Sequence, residues 1–199
     1  YKRQIITLSP SSVEETYTLI MEAFTLAESY RTPVIFLMDE MIGHLRAGVA
    51  LPELSEPPRL NCEFYKTAPY CTEPGEYVPH MPPIGYGQRY NITGLIHDES
   101  GFPTNSNAEC ERLLTRLNDK IEKNLDDTCR SEEYLTGDAD VLIACFGGAA
   151  LAVRAAVDML RAEGIRAGMF RPVTVWPFPA EAFKRAARQA NRLYAAELN

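Results

Sequence analysis

Val141-Leu142-Ile143-Ala144-Cys145-Phe146-Gly147-Gly148-Ala149-Ala150-Leu151 is the stretch on which the fold turns. Its apolar residues run without alternation, as a strand covered on both faces requires, and such strands belong to parallel sheets under helices. The paired glycines predict a tight turn, and an alanine-rich helix should follow over about 149–163. Gly164 stands where a helix C-terminal glycine belongs. Beyond it, 165–170 reads as another strand, Pro172 punctuates, and 173–178 is a further extended apolar stretch. Pro179 suits a helix first turn, with the helix running to about Asn191, and 193–196 begins one more strand. Strand–helix alternation of this kind predicts a doubly wound α/β domain.

The first fifty residues read as strand, helix, strand. Residues 5–8 are a short apolar run ending at Pro10, and Ser11 or Ser12 can cap a helix with a glutamate three positions on. Val13, Tyr17, Ile20, Phe24 and Ala27 then recur at helical spacing and predict the buried face. Thr32-Pro33 breaks the helix, and 34–38 is continuously apolar, the pattern of a second strand buried on both faces.

Residues 50–104 differ in character. Most of the 14 prolines fall here, with glycines at 75, 85, 87, 94 and 101, so neither a regular helix nor a central strand fits. Phe64, Tyr65, Tyr70, Tyr77, Tyr86, Tyr90 and Phe102 are too many aromatics for a merely flexible linker, and predict an ordered, extended arm packed on a neighbouring surface. A second helix should start near Ser106, carry Leu113, Leu114, Leu117, Ile121 and Leu125 on one stripe, and end before Asp138.

Composition bounds the function. A 46% hydrophobic content supports a real core, and no apolar run is long enough to span a bilayer. The net charge of −7 argues against a sequence-independent nucleic-acid binder. The five cysteines, Cys62, Cys71, Cys110, Cys129 and Cys145, form no CxxC pair and are too widely spread for an iron–sulfur or zinc site. Free thiols in a reducing, cytoplasmic compartment are expected, although Cys62 and Cys71 could meet across a loop. Cys145 reads as a small buried residue, and His80 and Trp176 as packing residues.

Three groups merit weighing as sites. Gly147 and Gly148, between strand and helix, could cradle an anion at the helix N-terminus. The run does not match G-x-G-x-x-G, however, and the next strand ends Phe170-Arg171 instead of on a ribose-binding acid, so a close turn also explains the glycines. Asp39, Glu40 and His44 follow a strand's carboxyl end and could hold a metal or share acid/base work, against a reading as capping and interface contacts. His97, Asp98 and Glu99 form a loop triplet that could ligate a metal or simply make a turn. No covalent nucleophile motif is present.

Several separated passages together resemble one family. They are Pro10-Ser11-Ser12-Val13-Glu14-Glu15; Arg31-Thr32-Pro33-Val34-Ile35; and Asp39-Glu40-Met41-Ile42-Gly43-His44-Leu45-Arg46. Further along stand Pro82-Pro83-Ile84-Gly85, the run from Thr93-Gly94-Leu95-Ile96-His97 to Phe102-Pro103-Thr104, and Arg171-Pro172-Val173-Thr174-Val175-Trp176-Pro177-Phe178-Pro179, with Glu197-Leu198-Asn199 at the end. The chain thereby resembles the alpha subunit of 2-oxoacid:ferredoxin oxidoreductases over nearly its whole length. The Gly43-His44-Leu45-Arg46 passage leans toward the 2-oxoglutarate type, with branched-chain 2-oxoacid enzymes close behind.

The resemblance implies the end of a thiamine diphosphate pyrimidine-binding domain over 1–49, a connecting arm and helix over 50–130, and an incomplete transketolase C-terminal-like, Rossmann-like domain over 131–199. It implies thiamine diphosphate with magnesium, iron–sulfur clusters, coenzyme A and ferredoxin in the full complex. A partner beta subunit would hold the diphosphate and metal, further subunits would join, and alpha–alpha contact would be possible. The sheets of the pattern start and stop midway and the sequence opens on Tyr1, so the chain is expected to be an interior piece of a larger subunit, mainly structural, binding none of these groups alone. No catalytic or metal-ligating residue transfers onto it. The alternatives are a free-standing Rossmann-like nucleotide-binding module and a protein-interaction module built on the arm.

Overall fold

The computed structural model describes residues 4–51, 68–79, 81, 82, 84, 85 and 87–198. Strand β1 (Ile6–Leu8) is wholly buried and leads into helix α1 (Val13–Tyr30). Ser12 is the N-cap, its side chain accepting from the Glu15 amide. Glu15 reaches back to accept from the Ser11 amide at 2.7 Å and its hydroxyl at 2.8 Å, so both serines serve the helix start.

The face α1 buries differs from the expected one. Leu19, Ala23, Leu26 and Tyr30 are buried, whereas Phe24 is 60% exposed. The helix carries apolar residues on two faces, and the stripe ending at Tyr30 turns inward, its hydroxyl donating to Asp127. Periodicity cannot choose between two such stripes; the sheet does.

Strand β2 (Val34–Phe36) pairs parallel to β1, as its apolar run predicts. It is not buried on both faces, however. Val34 and Phe36 pack toward α1, while Ile35 is 45% exposed and Leu37 and Met38 are also exposed. The reason is position, because β2 lies at the edge of its described sheet and α1 covers one side only. The short helix α2 (Glu40–His44) follows, capped by Asp39.

Arm residues 52–67, with Phe64, Tyr65 and Cys62, and residues 80, 83 and 86, with His80 and Tyr86, lie outside the described residues. What is described of the arm consists of turns, fastened by aromatic contacts. Tyr70 stacks on His97 with centroids 5.4 Å apart and meets Tyr90 edge-on, and its hydroxyl donates to the Asn91 carbonyl. Val78 packs on the core shared by β1, α1 and Ile121.

The second long helix, α3 (Asn107–Glu122), is capped by Ser106 and ends before Asp138, both as expected, but it stops short of Leu125, the last residue of the predicted stripe. The Asn124 side chain donates to the Lys120 carbonyl at 2.8 Å, replacing the next helical bond. A single turn, α4 (Leu125–Thr128), leaves Leu125 exposed off the stripe. Strand β3 (Ser131–Tyr134), which the sequence pattern does not announce, comes next.

Strand β4 (Val141–Cys145), helix α5 (Ala149–Ala162) and strand β5 (Ala167–Pro172) fall close to their predicted places, with Gly164 at φ +83° past the α5 terminus. Strand β6 (Thr174–Trp176) and helix α6 (Ala180–Ala187) follow, the latter one turn shorter than predicted, and strand β7 (Arg192–Ala196) completes the described elements. One sheet has the order β3-β5-β4-β7, parallel except for β3. Helix α5 covers one face through Val153, Val157, Cys145 and Met169, and α6 the other through Ala186, Leu142 and Phe170. That is the doubly wound arrangement.

The other sheet has the order β2-β1-β6, with β6 antiparallel to β1. Residues 167–176 therefore serve both sheets, β5 lying in one and β6 in the other.

Candidate functional site

Open α/β sheets place their chemistry at the carboxyl ends of parallel strands. Here the carboxyl ends of β2 and β4 are tied to each other. Asp39, just past β2, accepts from the Gly148 amide at 2.5 Å with one oxygen and from the Ile42 amide at 2.9 Å with the other. Gly147 takes φ +62°, and a Cβ there would sit 2.7 Å from the Asp39 carboxylate. Glycine is thus required twice, for the left-handed backbone and for the close approach. At the N-terminus of α5 the Gly147–Gly148 turn is occupied by the side chain of the chain's own Asp39.

Glu40 and His44 do not join Asp39. Their side chains lie in solvent 3.9 Å from each other, one helical turn apart. The loop triplet diverges likewise. His97 is buried, stacked on Tyr70 and hydrogen-bonded to Thr93 at 3.1 Å. Asp98 closes its own turn, accepting from the Ser100 hydroxyl at 2.5 Å and the Phe102 amide at 3.2 Å, bonds that hold its carboxyl below the usual range. Glu99 pairs with Arg112 at 2.8 Å. Among the described residues, no three His, Cys, Asp or Glu side chains converge as a metal site would need.

Cys71, Cys110, Cys129 and Cys145 are free thiols. Burial pushes Cys129 and Cys145 up to about 11, so both stay protonated at neutral pH and are poor nucleophiles. The Cys129 thiol donates to the Pro177 carbonyl at 3.1 Å. Trp176 is partly exposed on β6.

The strongest electrostatic feature is one that pattern reading missed. Arg171, its side chain 4% exposed, forms a bidentate pair with Glu15 of α1 (3.0 and 2.7 Å) and a third bond to Glu132 of β3 (2.7 Å). Glu132 is also paired with Arg154 of α5, whose guanidinium lies 4.2 Å from the centroid of the Tyr134 ring. Two arginines and two glutamates thus alternate across the seam between the sheets. Burial alone would raise the Glu15 pKa, but the hydrogen bond and charge of Arg171, with the two Ser11 bonds, outweigh it and hold the carboxyl below its ordinary value. The available signal was an arginine ending an otherwise apolar strand, since a buried guanidinium demands a carboxylate partner.

These features define a two-sheet α/β scaffold, welded by a shared segment and a buried ion-pair chain, whose strand-end crevice is closed from within. The chain belongs to the pyruvate flavodoxin/ferredoxin oxidoreductase, thiamine diphosphate-binding family, whose model matches residues 2–115; the pyruvate:ferredoxin oxidoreductase core domain II model matches 139–199. It is 40% identical to the 2-oxoglutarate synthase subunit KorA of Methanothermobacter marburgensis over 98% of this chain and 53% of that one. Against the ketoisovalerate oxidoreductase subunit VorB of Methanothermobacter thermautotrophicus the identity is 32%, over 96% of this chain and 48% of the other. A solved structure of the 2-oxoglutarate:ferredoxin oxidoreductase from Magnetococcus marinus, with 2-oxoglutarate, coenzyme A and succinyl-CoA bound, superposes with a TM-score of 0.85 at 27% identity, covering 98% of this chain and 35% of that one. The chain therefore spans about half the length of the curated relatives it matches.

A diphosphate with its divalent cation needs free helix-terminal N–H donors and converging oxygen ligands. Among the described residues the carboxylates do not converge, and the glycine turn at α5 is filled by Asp39. These residues do not fit the charged end of thiamine diphosphate. No described helix is long and apolar enough to cross a membrane.

Proposed function

We propose that this chain is a scaffold portion of the alpha subunit of a 2-oxoacid:ferredoxin oxidoreductase acting on 2-oxoglutarate. The whole enzyme would decarboxylate the oxoacid oxidatively to its coenzyme A thioester and pass the electrons to ferredoxin. The observation that carries this reading is the reach of the likeness, which runs through both sheets and the arm instead of resting on one motif.

On this reading 1–49 closes a pyrimidine-binding domain, 50–130 is a connecting arm and helix, and 131–199 is transketolase C-terminal-like. A partner beta subunit would supply the diphosphate and magnesium site, and iron–sulfur clusters would lie elsewhere in a cytoplasmic complex. The Asp39–Gly148 closure and the Arg171 chain would fix how the two units meet, and alpha–alpha contact would use surfaces outside that seam. The likeness to a ketoisovalerate oxidoreductase subunit supports a second substrate reading, a branched-chain 2-oxoacid.

The test is to purify the protein in the assembly it forms in its own cells and follow ferredoxin reduction dependent on coenzyme A. With 2-oxoglutarate, kcat/KM should exceed that with 3-methyl-2-oxobutanoate at least tenfold. The reverse order would overturn the substrate assignment, and no oxoacid-dependent reduction would overturn the function.

A further inference from the structure

Beneath the arm lies a half-enclosed cavity of about 250 Å³, with α3 as its floor and residues 93–97 along its rim. Arg31, Arg116 and Lys120 all line it, and no aspartate or glutamate is among its described lining residues. In a chain of net charge −7, three cations facing one cavity with no acid in its described lining is a local reversal of sign, tempered at Arg116 by Glu99, which acts from outside the lining and is itself paired with Arg112.

These cations are poorly satisfied. Lys120 is only 3% exposed, and its ammonium reaches one acceptor, the Arg31 carbonyl at 3.4 Å. Arg116 spends one nitrogen on the Tyr70 carbonyl at 2.7 Å. The Nε atoms of both Arg31 and Arg116 are buried with no hydrogen-bond partner. Buried donors left unpaired are uncommon and call for an explanation. Burial, and then the nearby Arg116 charge, bring Lys120 down to about 8, so at neutral pH it still carries its proton and still lacks an anion.

We infer that this cavity binds a small organic carboxylate, its head group taken by Lys120 and the free Arg116 and Arg31 donors and its hydrocarbon body by the apolar wall. Guanidinium and ammonium donors match a carboxylate head. Met81, Leu113 and Leu117 put carbon beside the cations, a surface that a compact hydrocarbon body can cover and that inorganic phosphate, polar on every side, cannot. The cavity's volume suits one compact molecule. The inference stands on the cation cluster and does not require the oxoacid chemistry proposed above.

Calorimetric titration of the purified protein with hexanoate, hexanamide and inorganic phosphate tests it. Hexanoate should bind saturably at submillimolar concentration, and hexanamide and phosphate at least tenfold more weakly. Lys120→Met and Arg116→Gln should each weaken hexanoate at least tenfold while retaining the wild-type circular dichroism. Amide shifts in the wild type should map to residues 93–97 and 113–120, which keeps the test decisive if either variant fails to fold. No saturation by 10 mM hexanoate, shifts mapping elsewhere, equal binding of hexanamide or phosphate, or unchanged affinity in a folded variant would each overturn the site.

Discussion

Arg171 and Lys120 are both buried cations, yet their surroundings give them opposite consequences. Arg171 has four hydrogen bonds, three of them to carboxylates, whereas Lys120 has one, to a carbonyl. Glu15→Gln should therefore destabilise the fold by about 3 kcal/mol, because it strands most of a buried charge. Since the folded Glu15 pKa lies below its ordinary value, its contribution is present above about pH 4.5 and fades as the pH falls through the lower folded value. Urea unfolding of wild type and variant between pH 3 and 7 should converge at the acid end, and a constant gap would count against the pair. Lys120 behaves in the opposite sense. Below about pH 8 both states are protonated and the folded one bears the burial cost in full; between about 8 and 10.5 the folded state sheds its proton first. The unfolded state then binds more protons, so stability should rise with pH across that window by up to ~1.4 kcal/mol per unit. The charged and titratable groups facing Lys120, namely Arg31, Arg116, His97 and Tyr70, offer no carboxylate to offset this. Lys120→Met should be more stable than wild type at pH 7 and lose the slope; an unchanged slope would place its origin elsewhere. Neither role was legible in the sequence, where Lys120 looks like any polar helix position and Arg171 like the end of a strand. A charge's partners come from other elements, and spacing along one element does not contain them.

For elements, legibility followed how local the cause is. The Gly147–Gly148 turn, a serine cap at 11 or 12 and the α5 helix were readable, since each depends on neighbours within a few residues. Strand β3 was not, being the polar run Ser131-Glu132-Glu133-Tyr134. It is a strand because β5 offers an edge and because Glu132 falls directly opposite Arg171 in the register. The exposed side of β2 and the inward turn of Tyr30 depend equally on what the sheet leaves covered. The Asp39 closure joins a readable turn to an unreadable partner 109 positions away, and it can be tested as a coupling. Gly147→Ala forces a Cβ into a left-handed position and against the Asp39 carboxylate, which should cost about 2 kcal/mol. Asp39→Ala removes the α2 cap and the Gly148 acceptor, at about 1–2 kcal/mol. In the double variant the clash has no partner, so the summed cost should fall short of additivity by at least 0.5 kcal/mol. Strict additivity in urea melts would mean the contact carries no strain.

At the scale of the molecule, the two sheets share one continuous segment, and this sets how the protein should unfold. The crossover is held by Thr174, fully buried, whose hydroxyl donates to the Thr128 carbonyl at 2.9 Å and accepts from the Arg130 amide at 3.0 Å. Immediately before it stands Arg171, paired to α1 and β3; immediately after it β6 pairs with β1. Neither sheet can release this segment without breaking bonds in the other, so the amides of β1 and β4 should exchange with one common opening free energy. Thr174→Val keeps the side chain's shape while removing both hydroxyl bonds and leaving the Thr128 carbonyl and Arg130 amide unpaired, a loss of about 2–3 kcal/mol. If the crossover is the weld, that loss should fall unequally. The small β2-β1-β6 sheet would open first, and hydrogen exchange should show β1 amides losing protection at least tenfold more than β4 amides. Equal loss at both strands would mean that cohesion between the sheets comes chiefly from the Arg171 chain and the Asp39 closure, and the same measurement on Glu15→Gln and Asp39→Ala would then divide it between them.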